Sequence, residues 1–170
     1  MNDDDQAVLI AYGSNVPSVQ LTASQAFALV VKNLAERGLI VKKVSRLWYS
    51  KAWPDPLALP YHNAVIQITT DLNPRNLLSL LHELERLTGR DRSGERYAPR
   101  KLDLDLIAYG RRIISEESLF LPHPRAQDRA FVMGPIAEIL PEWRHPVLEQ
   151  TAETLYACAS VGRDAYPLKD

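Results

Sequence analysis

The sequence predicts an α+β fold built on one antiparallel sheet, and two observations favour it. Apolar periodicity gives the order strand, helix, strand, strand, helix, strand. The second and third of these strands follow each other without a helix between them, so they are expected to pair antiparallel. This order is that of the split-βαβ, ferredoxin-like sandwich, with helices packed on one face of the sheet. We expect a single domain over residues 1–170, whose core spans about residues 7–141 between a short acidic N-terminal lead and a C-terminal extension.

The first half of the pattern is a strand, a helix and a second strand. Ala7–Tyr12 is apolar and runs into Gly13-Ser14-Asn15, which is typical of a buried strand that ends in a turn. Apolar residues then recur at helical spacing from Leu21 to Arg37, and Gly38 follows as a stop. Leu39–Tyr49 is rich in β-branched and aromatic residues and predicts one long strand.

The second half begins after a loop at Ser50–Pro60 that contains three prolines. Tyr61–Asp71 alternates with period two, as a strand does. Asn73-Pro74 opens an amphipathic helix that Gly89 ends, and a polar loop follows at Arg90–Pro99. The sixth element, a strand, comes directly after this loop.

This last strand carries the strongest chemical signal in the chain. Lys101–Tyr109 alternates strictly, with Asp103 and Asp105 on one face and leucines on the other. The two aspartates stand about 7 Å apart at Cα. Such a pair can hold Mg²⁺, which prefers oxygen ligands and keeps waters and substrate phosphates, and two ions about 4 Å apart could clamp both sides of a displacement at phosphorus. The alternative is a solvated strand face, but Arg100 and Lys101 directly before the pair favour a metal–nucleotide site.

The polar loop before this strand is rich in arginine, at Arg90, Arg92, Arg96 and Arg100. Guanidinium groups bind phosphate oxygens bidentately and stay charged when desolvated. On a mobile loop they could close over a triphosphate and exclude water. The alternative is a solvated basic loop that pairs with glutamates of the preceding helix.

Two further pairs of residues are weaker candidates. His123 and Arg129 lie in a proline-flanked segment, although a lone histidine is more often a surface or core residue. Tyr61 and Asn63 share a strand face and could stack on and hydrogen-bond a flat heterocycle, but they could equally be core and turn residues. The sequence contains neither a Walker-type phosphate loop nor a dinucleotide-binding glycine motif.

Composition narrows the class of protein. Hydrophobic residues make up 46% and charged residues 24%, as in ordinary globular proteins, and the formal net charge of −1 argues against a general nucleic-acid or membrane-surface binder. The single cysteine, Cys158, excludes an intrachain disulfide and is expected to pack in the interior. An acidic N-terminus and the lack of a long apolar run favour a cytoplasmic location. After Tyr109 we expect a short edge strand at Arg111–Ile114, then short helices and loops, with no guide beyond about Thr151.

Five motifs in order resemble the 6-hydroxymethyl-7,8-dihydropterin pyrophosphokinases of folate biosynthesis, over about Leu9 to Pro141. The motifs are G-S-N at 13–15, Y-x-N-A-V at 61–65, the helix end with Glu85 and Gly89-Arg90, P-R-x-L-D-L-D-L at 99–106, and P-H-x(5)-R-x-F at 122–131. The resemblance implies a ferredoxin-like fold and transfer of pyrophosphate from ATP to the hydroxymethyl oxygen of the pterin, with AMP as the leaving group. It also implies ATP and hydroxymethyl-dihydropterin as partners. From the net charge we expect no nucleic-acid or membrane partner, and we expect a monomer.

The resemblance assigns roles by position. Asp103 and Asp105 match the ligands of two Mg²⁺ ions, and Arg90 and Arg100 match the loop arginines that act on the phosphates during transfer. The positions that match the nucleotide side are Glu85, Arg92, Arg96, Arg100, His123 and Arg129. Those that match the pterin side are Ser50, Tyr61, Asn63, Tyr97 and Phe131.

Several positions depart from the usual family pattern. Tyr97-Ala98 stands where the family commonly has W-G, so the aromatic residue that covers the pterin is smaller. His82 replaces a common glutamine, Ser93 stands where some members have lysine, and the loop around Trp53–Pro60 is short. We expect these changes to alter binding constants and not the activity.

Two other functions fit parts of the pattern. A ferredoxin-like RNA-binding module would need exposed aromatic residues and a basic sheet face, whereas the last strand carries Asp103 and Asp105. A metal-dependent phosphodiesterase or nuclease could use the same aspartates, but it would recruit further carboxylates or histidines to each metal.

Overall fold

The computed structural model describes residues 3–15, 20–88 and 102–169. After a short 3₁₀ turn at Asp3–Gln6, the elements in chain order are β1 (Val8–Ser14), α1 (Ala23–Glu36), β2 (Ile40–Val44), β3 (Trp48–Ser50), β4 (Tyr61–Thr69), α2 (Pro74–Leu87), β5 (Asp103–Tyr109), β6 (Ile114–Glu116), β7 (Leu119–Leu121), a second 3₁₀ turn (Ala126–Asp128), α3 (Ala130–Ile139), α4 (Ala152–Cys158) and β8 (Tyr166–Pro167). Strand order across the main sheet is β5-β1-β4-β3-β8, with β2 also paired to β4. Every pairing in this sheet is antiparallel, so the predicted α+β, ferredoxin-like sandwich is confirmed.

The two long helices begin and end where local chemistry satisfies the backbone. Thr22 and Gln25 form a reciprocal capping box at the start of α1. Gly38 follows α1 with φ +86°, the left-handed conformation that only glycine adopts without strain. Asn73 caps α2 by accepting a hydrogen bond from Asn76 N, and Pro74 occupies the first turn, where its missing N–H costs nothing.

One face of the sheet packs on α1 and α2. This core contains alternate residues of β1 and of the first part of β5, together with the inward faces of both helices, among them Ile10, Leu104, Leu106, Leu34, Leu77 and Leu81. The leucines that alternate with Asp103 and Asp105 are thus buried, as predicted. Leu87, in the last turn of α2, is 64% exposed.

The opposite face of the sheet is also covered, so the expectation of helices on one face only is wrong. Leu9, Ala11 and Val65 point to this side and pack with α3 and α4, including Met133, Ile136, Trp143 and Leu155. The protein therefore has three layers, with the sheet in the middle. The aspartates of β5 lie on the α3 side, because they alternate with leucines that face α1 and α2.

Three local predictions need correction. The long strand expected at residues 39–49 is interrupted after Val44, since Ser45 exchanges backbone and side-chain hydrogen bonds with Val65, and β2 and β3 pair with successive parts of β4. The edge strand expected at 111–114 lies instead at Ile114–Glu116, where it pairs with β7 in a separate hairpin. Cys158 is exposed and not packed.

None of the helices in the described ranges is both long and apolar enough to cross a membrane. The C-terminal residues, for which no structure was predicted, form α4 and then β8, which pairs with β3 at the edge of the main sheet. The chain thus returns to the strand that borders the candidate site.

Candidate active site

A row of four paired residues crosses the sheet on the α3 side. Asp103 on β5 pairs with Gly13 on β1, Gly13 pairs with Asn63 on β4, and Asn63 pairs with Trp48 on β3. Residues that pair directly across a sheet share a face, and Tyr61 and Asp105 share it too because each lies two positions from a member of the row. The fold therefore brings the predicted acidic and pterin-side strand residues together.

Gly13 keeps the centre of this row open. A Cβ atom added at Gly13 would lie 3.8 Å from each of three atoms: Asn63 Oδ1, Asp103 Cβ and Tyr61 Cδ1. These are ordinary contact distances, so an alanine would fit but would fill the space between the carboxylate and the amide. Close approach of a ligand to the backbone is a common reason for glycine inside a strand.

The two carboxylates lie beside small residues of β1. Asp105 pairs with Ala11 and Asp103 with Gly13, so both neighbours on β1 are small. Both aspartates are half-buried. Among the residues that the structure describes, no cluster of three or more His, Cys, Asp or Glu side chains is placed to hold a metal ion. The two aspartates alone fit Mg²⁺, which takes one or two carboxylates and fills its other positions with waters and substrate phosphates.

Glu85 reaches the edge of this strand from the last turns of α2. The residue is only 1% exposed, and its Oε1 accepts a hydrogen bond of 2.8 Å from the backbone N of Leu104, which lies between the two aspartates. Since β5 is the outermost strand of the main sheet, this N–H points away from β1 and needs such an acceptor. The contact fixes the segment that carries Asp103 and Asp105.

A bulge in β5 docks the segment that carries His123. Leu9 pairs with Ala108 and Ile10 with Leu106, so Ile107 is an extra residue on β5. Its carbonyl oxygen accepts a hydrogen bond of 2.8 Å from His123 N. His123 thereby lies close enough to Asp103 for the carboxylate charge to affect the pKa of the imidazole.

His123 is held in its neutral form. Burial, followed by the charges of Arg129 and Arg125, lowers its pKa from 6.5 to about 4, although Asp103 acts in the opposite direction. Its Nδ1 accepts a hydrogen bond from Arg125 N, which leaves Nε2 to carry the proton. At neutral pH His123 can therefore donate a hydrogen bond from Nε2 without adding a charge.

Arg129 and Phe131 flank the start of α3 and are fixed by the C-terminal segment. Arg129 pairs with Val161 in a parallel bridge, and Ala130 N donates a hydrogen bond of 2.8 Å to Val161 O. The Arg129 guanidinium lies over the Phe131 ring, with Cζ 5.8 Å from the ring centroid. A nucleotide-side and a pterin-side candidate are therefore direct neighbours.

The other pterin-side candidates form a buried polar pair. Asn63 is 5% and Ser50 1% exposed, and Asn63 Nδ2 donates a hydrogen bond of 2.9 Å to Ser50 Oγ. This bond orients the amide so that Oδ1 lies at the open space beside Gly13. Trp48 next to Asn63 packs edge-on against Tyr156 and donates from Nε1 to Glu138 Oε2.

Glu138 on α3 accepts hydrogen bonds from both Trp48 and Arg46, and Arg46 lies in the interruption between β2 and β3. Burial raises the pKa of Glu138, but hydrogen bonds from the Arg46 backbone, the Trp48 indole and the Arg46 side chain outweigh it and leave the pKa below its ordinary value. A charged Glu138 thus holds β3 against α3 at neutral pH. Sequence patterns gave no sign of this contact.

Part of the predicted site lies outside the described residues. These candidates are Arg90, Arg92, Arg96, Tyr97 and Arg100, all within residues 89–101. Among the described residues, sequence reasoning missed Gly13 as an open position and missed the contact of the segment before Gly162 with the start of α3. The first could have been found from a glycine inside an apolar strand, whereas the second leaves only a turn signal at Gly162-Arg163-Asp164.

Known proteins resemble the chain over most of its length. The family model for 7,8-dihydro-6-hydroxymethylpterin-pyrophosphokinase matches residues 9–141. A 2-amino-4-hydroxy-6-hydroxymethyldihydropteridine pyrophosphokinase from Pseudomonas aeruginosa is 36% identical over 169 residues, which is 95% of this chain and 98% of that protein. The folic acid synthesis protein fol1 of Pneumocystis carinii is 36% identical over 144 residues, and the match covers 85% of this chain but only 19% of that protein.

A solved structure agrees on the fold. The HPPK-DHPS protein of Plasmodium falciparum, crystallised with pteroate, superposes with a TM-score of 0.69 at 13% identity, over 89% of this chain and 42% of that one. Together with the family model, these matches identify the chain as a member of the 7,8-dihydro-6-hydroxymethylpterin-pyrophosphokinase family.

Proposed function

We propose that this protein transfers the pyrophosphoryl group of ATP to the hydroxyl of 6-hydroxymethyl-7,8-dihydropterin, giving AMP and the pterin pyrophosphate, a step of folate biosynthesis. The single observation that carries the proposal is the row Asp103–Gly13–Asn63, which sets a carboxylate and an amide on either side of an open glycine. A phosphate-bearing and a heterocyclic substrate need adjacent sites for direct transfer. Family membership supports the same reaction.

Asp103 and Asp105 would hold magnesium, and we propose two ions. When bound, such ions neutralise phosphate charge and bring substrate oxygens into line. The chain's contribution is rigidity, because Glu85 fixes the strand between the two carboxylates. Transfer at phosphorus depends on positioning and charge stabilisation more than on covalent help from the protein.

On the nucleotide side we propose His123, Arg129 and Glu85 among the described residues. Neutral His123 would donate from Nε2 to an ATP oxygen, and Arg129 would contribute a positive charge. Arg90, Arg92, Arg96 and Arg100 are proposed from the sequence alone, as cations for the triphosphate, with Arg90 and Arg100 acting during transfer.

On the pterin side we propose Asn63 and Ser50 for hydrogen bonding, and Tyr61, Phe131 and Tyr97 for stacking. The Asn63 amide carries both a donor and an acceptor, as recognition of a pterin ring edge requires. Its orientation is already fixed by Ser50, so little side-chain freedom is lost on binding. The hydroxymethyl group would then point along the row toward Asp103.

The alternatives have less support. An RNA-binding sheet needs an open face, whereas helices cover the main sheet on both sides. A nuclease would draw on further metal ligands, and the described residues contain no such cluster. From the sequence we also propose a single-domain monomer in the cytoplasm.

The direct test is incubation with ATP, Mg²⁺ and 6-hydroxymethyl-7,8-dihydropterin, with AMP measured by chromatography. We expect AMP to form only when the pterin and the metal are both present, and a pterin pyrophosphate to appear in equal amount. AMP formed without pterin, or ADP in place of AMP, would contradict the proposal.

A further inference from the structure

Gly162 lies directly against the ring of Phe131. Its φ is +69°, a left-handed conformation. A Cβ atom added there would lie 2.8 Å from Cε1 of Phe131 and still nearer to Cδ1, which is closer than real Cβ atoms approach other atoms. Any side chain at position 162 would therefore displace either the ring or the backbone that carries it.

The backbone around Gly162 is strongly held. Ser160 N and Val161 N donate hydrogen bonds of 3.0 Å and 2.8 Å to Asp128 O, and Ala130 N donates to Val161 O. On the other side of the glycine, Asp164 Oδ2 accepts a hydrogen bond of 2.6 Å from Lys51 N. The turn is therefore anchored on both sides, to the residues just before α3 and to the end of β3.

The ring is the more movable partner. Phe131 is only partly buried and lies in the first turn of α3, at the rim of a small cluster formed by Trp48, Ala130, Ala159 and Ala165. A side-chain torsion can change at modest energetic cost, whereas several backbone hydrogen bonds cannot be broken cheaply. A methyl group at position 162 would consequently turn the ring away from its present position.

We propose that Gly162 is a positioning residue for pterin binding. Because it has no side chain, it leaves the space that the Phe131 ring occupies. The C-terminal turn thereby determines the orientation in which the ring contacts the substrate. This inference rests on the proposed function, in which Phe131 stacks on the pterin. It gives the segment after α4 a role in substrate affinity.

The test compares Gly162→Ala with Gly38→Ala. Gly38 also has a positive φ, of +86°, but a Cβ there would meet nothing within 4 Å, so the control carries the backbone strain without the ring contact. Both variants should lose thermal stability through this backbone strain, and Gly162→Ala should lose more because the ring must also move. Binding of 6-hydroxymethylpterin, with Mg²⁺ and a non-hydrolysable ATP analogue present, is measured by calorimetry. We expect Gly162→Ala to bind roughly tenfold more weakly, on the scale of losing part of one aromatic stack, and Gly38→Ala to bind like the wild type.

A double-mutant cycle with Phe131→Ala tests whether the effect passes through the ring. In that background Gly162→Ala should weaken pterin binding little further. If Gly162→Ala alone does not fold, the double variant should fold, because the ring that causes the overlap is gone.

Three outcomes would overturn the inference. Gly162→Ala could bind pterin as well as Gly38→Ala does, its effect could persist undiminished without the Phe131 ring, or the double variant could stay unfolded while Gly38→Ala folds. In each of these cases the proposed function still stands, provided that the wild-type protein binds the pterin. A wild-type protein that binds no pterin would instead refute the proposed function itself.

Discussion

At the scale of single residues, Asp103 and Asp105 are proposed metal ligands that take no part in the hydrophobic core. Their strand buries leucines on the α1 and α2 side and presents the carboxylates on the other, so the acids contribute nothing to the apolar core. Like charges about 7 Å apart also repel when no metal is bound. The proposed metal ligands are thus not the residues that hold the fold.

Asp103→Asn and Asp105→Asn should abolish activity without unfolding the protein. An amide is a poorer and uncharged ligand for Mg²⁺, so pterin-dependent AMP formation should fall at least about a hundredfold. The melting temperature without magnesium should stay the same or rise. Asp71→Asn, at an exposed position outside the site, is the control. An Asp103→Asn protein that unfolds would indicate a structural role, and full activity would remove it from the site.

Glu85 should behave as a structural acceptor as well as a site residue. Glu85→Ala leaves Leu104 N buried without its acceptor, which costs about 1–3 kcal/mol of unfolding free energy. Glu85→Gln keeps an acceptor oxygen and should lose less. Urea unfolding measures both, with Glu83→Ala as the control, since Glu83 is on the same helix but 45% exposed in a surface pair with Arg37. Equal stability of Glu85→Ala and Glu83→Ala would argue against this role.

At the scale of elements, the segment between the β5 bulge and α3 contains a group that titrates differently in the folded and unfolded chains. The pKa of His123 is about 4 in the folded protein and about 6.5 in the unfolded chain. The unfolded chain therefore binds more protons between these values, and stability falls as pH decreases from about 6.5 toward 4.

His123→Asn should flatten this pH dependence. Between pH 7 and pH 5 the wild type should lose up to about 2 kcal/mol through His123, and the variant should not lose this part. Asparagine keeps an acceptor near the position of Nδ1 for Arg125 N. Urea unfolding of both proteins at pH 7 and at pH 5, without magnesium, gives the change in unfolding free energy for each. Parallel pH profiles for the two proteins would contradict the shifted pKa.

The elements that were predicted from the sequence are those with a clear apolar pattern. α1 and α2 each bury one stripe, and the alternation within β5 alone was enough to separate its aspartates from its leucines. β1 and β4 are buried on both faces, and β1 was predicted from its continuous apolar run. The row that joins Asp103 to Asn63 could not be predicted, because it depends on the register of three strands that are distant in sequence.

The missed elements lack such a pattern. α3 is apolar almost all round and contains Gly134 and Pro135, so it offers no face to predict, although it lies between the sheet and α4. Gly134 is required there because a Cβ would lie 2.5 Å from Cζ3 of Trp48. β8 has only two residues, and its place is set by hydrogen bonding to β3 and not by its own sequence.

At the scale of the whole molecule, the three-layer arrangement makes the central strands of the sheet the most difficult to open. β1 is paired along both edges and covered on both faces, and β4 is paired with β1, β2 and β3. The β6–β7 hairpin forms a separate two-stranded sheet, and Phe120 there is 47% exposed. Opening of the centre therefore requires disruption of both cores.

Amide hydrogen exchange should reflect this arrangement. We expect the amides of β1 and β4 to exchange most slowly, near the rate set by global unfolding, and those of β6 and β7 to exchange faster through local opening. Peptide-level mass spectrometry in the absence of ligands measures both sets. Equal protection of the hairpin and the central strands would mean that the two sheets open together.

The edge position of β2 bears on how the protein behaves at high concentration. β2 pairs only with β4, and within the described ranges no strand occupies its outer edge, where Ile40 and Val44 are exposed. Exposed strand edges template association with a second chain unless charge or irregularity blocks them. Here Lys42 and Lys43 lie in the middle of the strand, and the register shifts between Val41 and Lys43. Because charged side chains and an irregular register are the features that block such pairing, we expect β2 to be a poor template for a second copy of the chain.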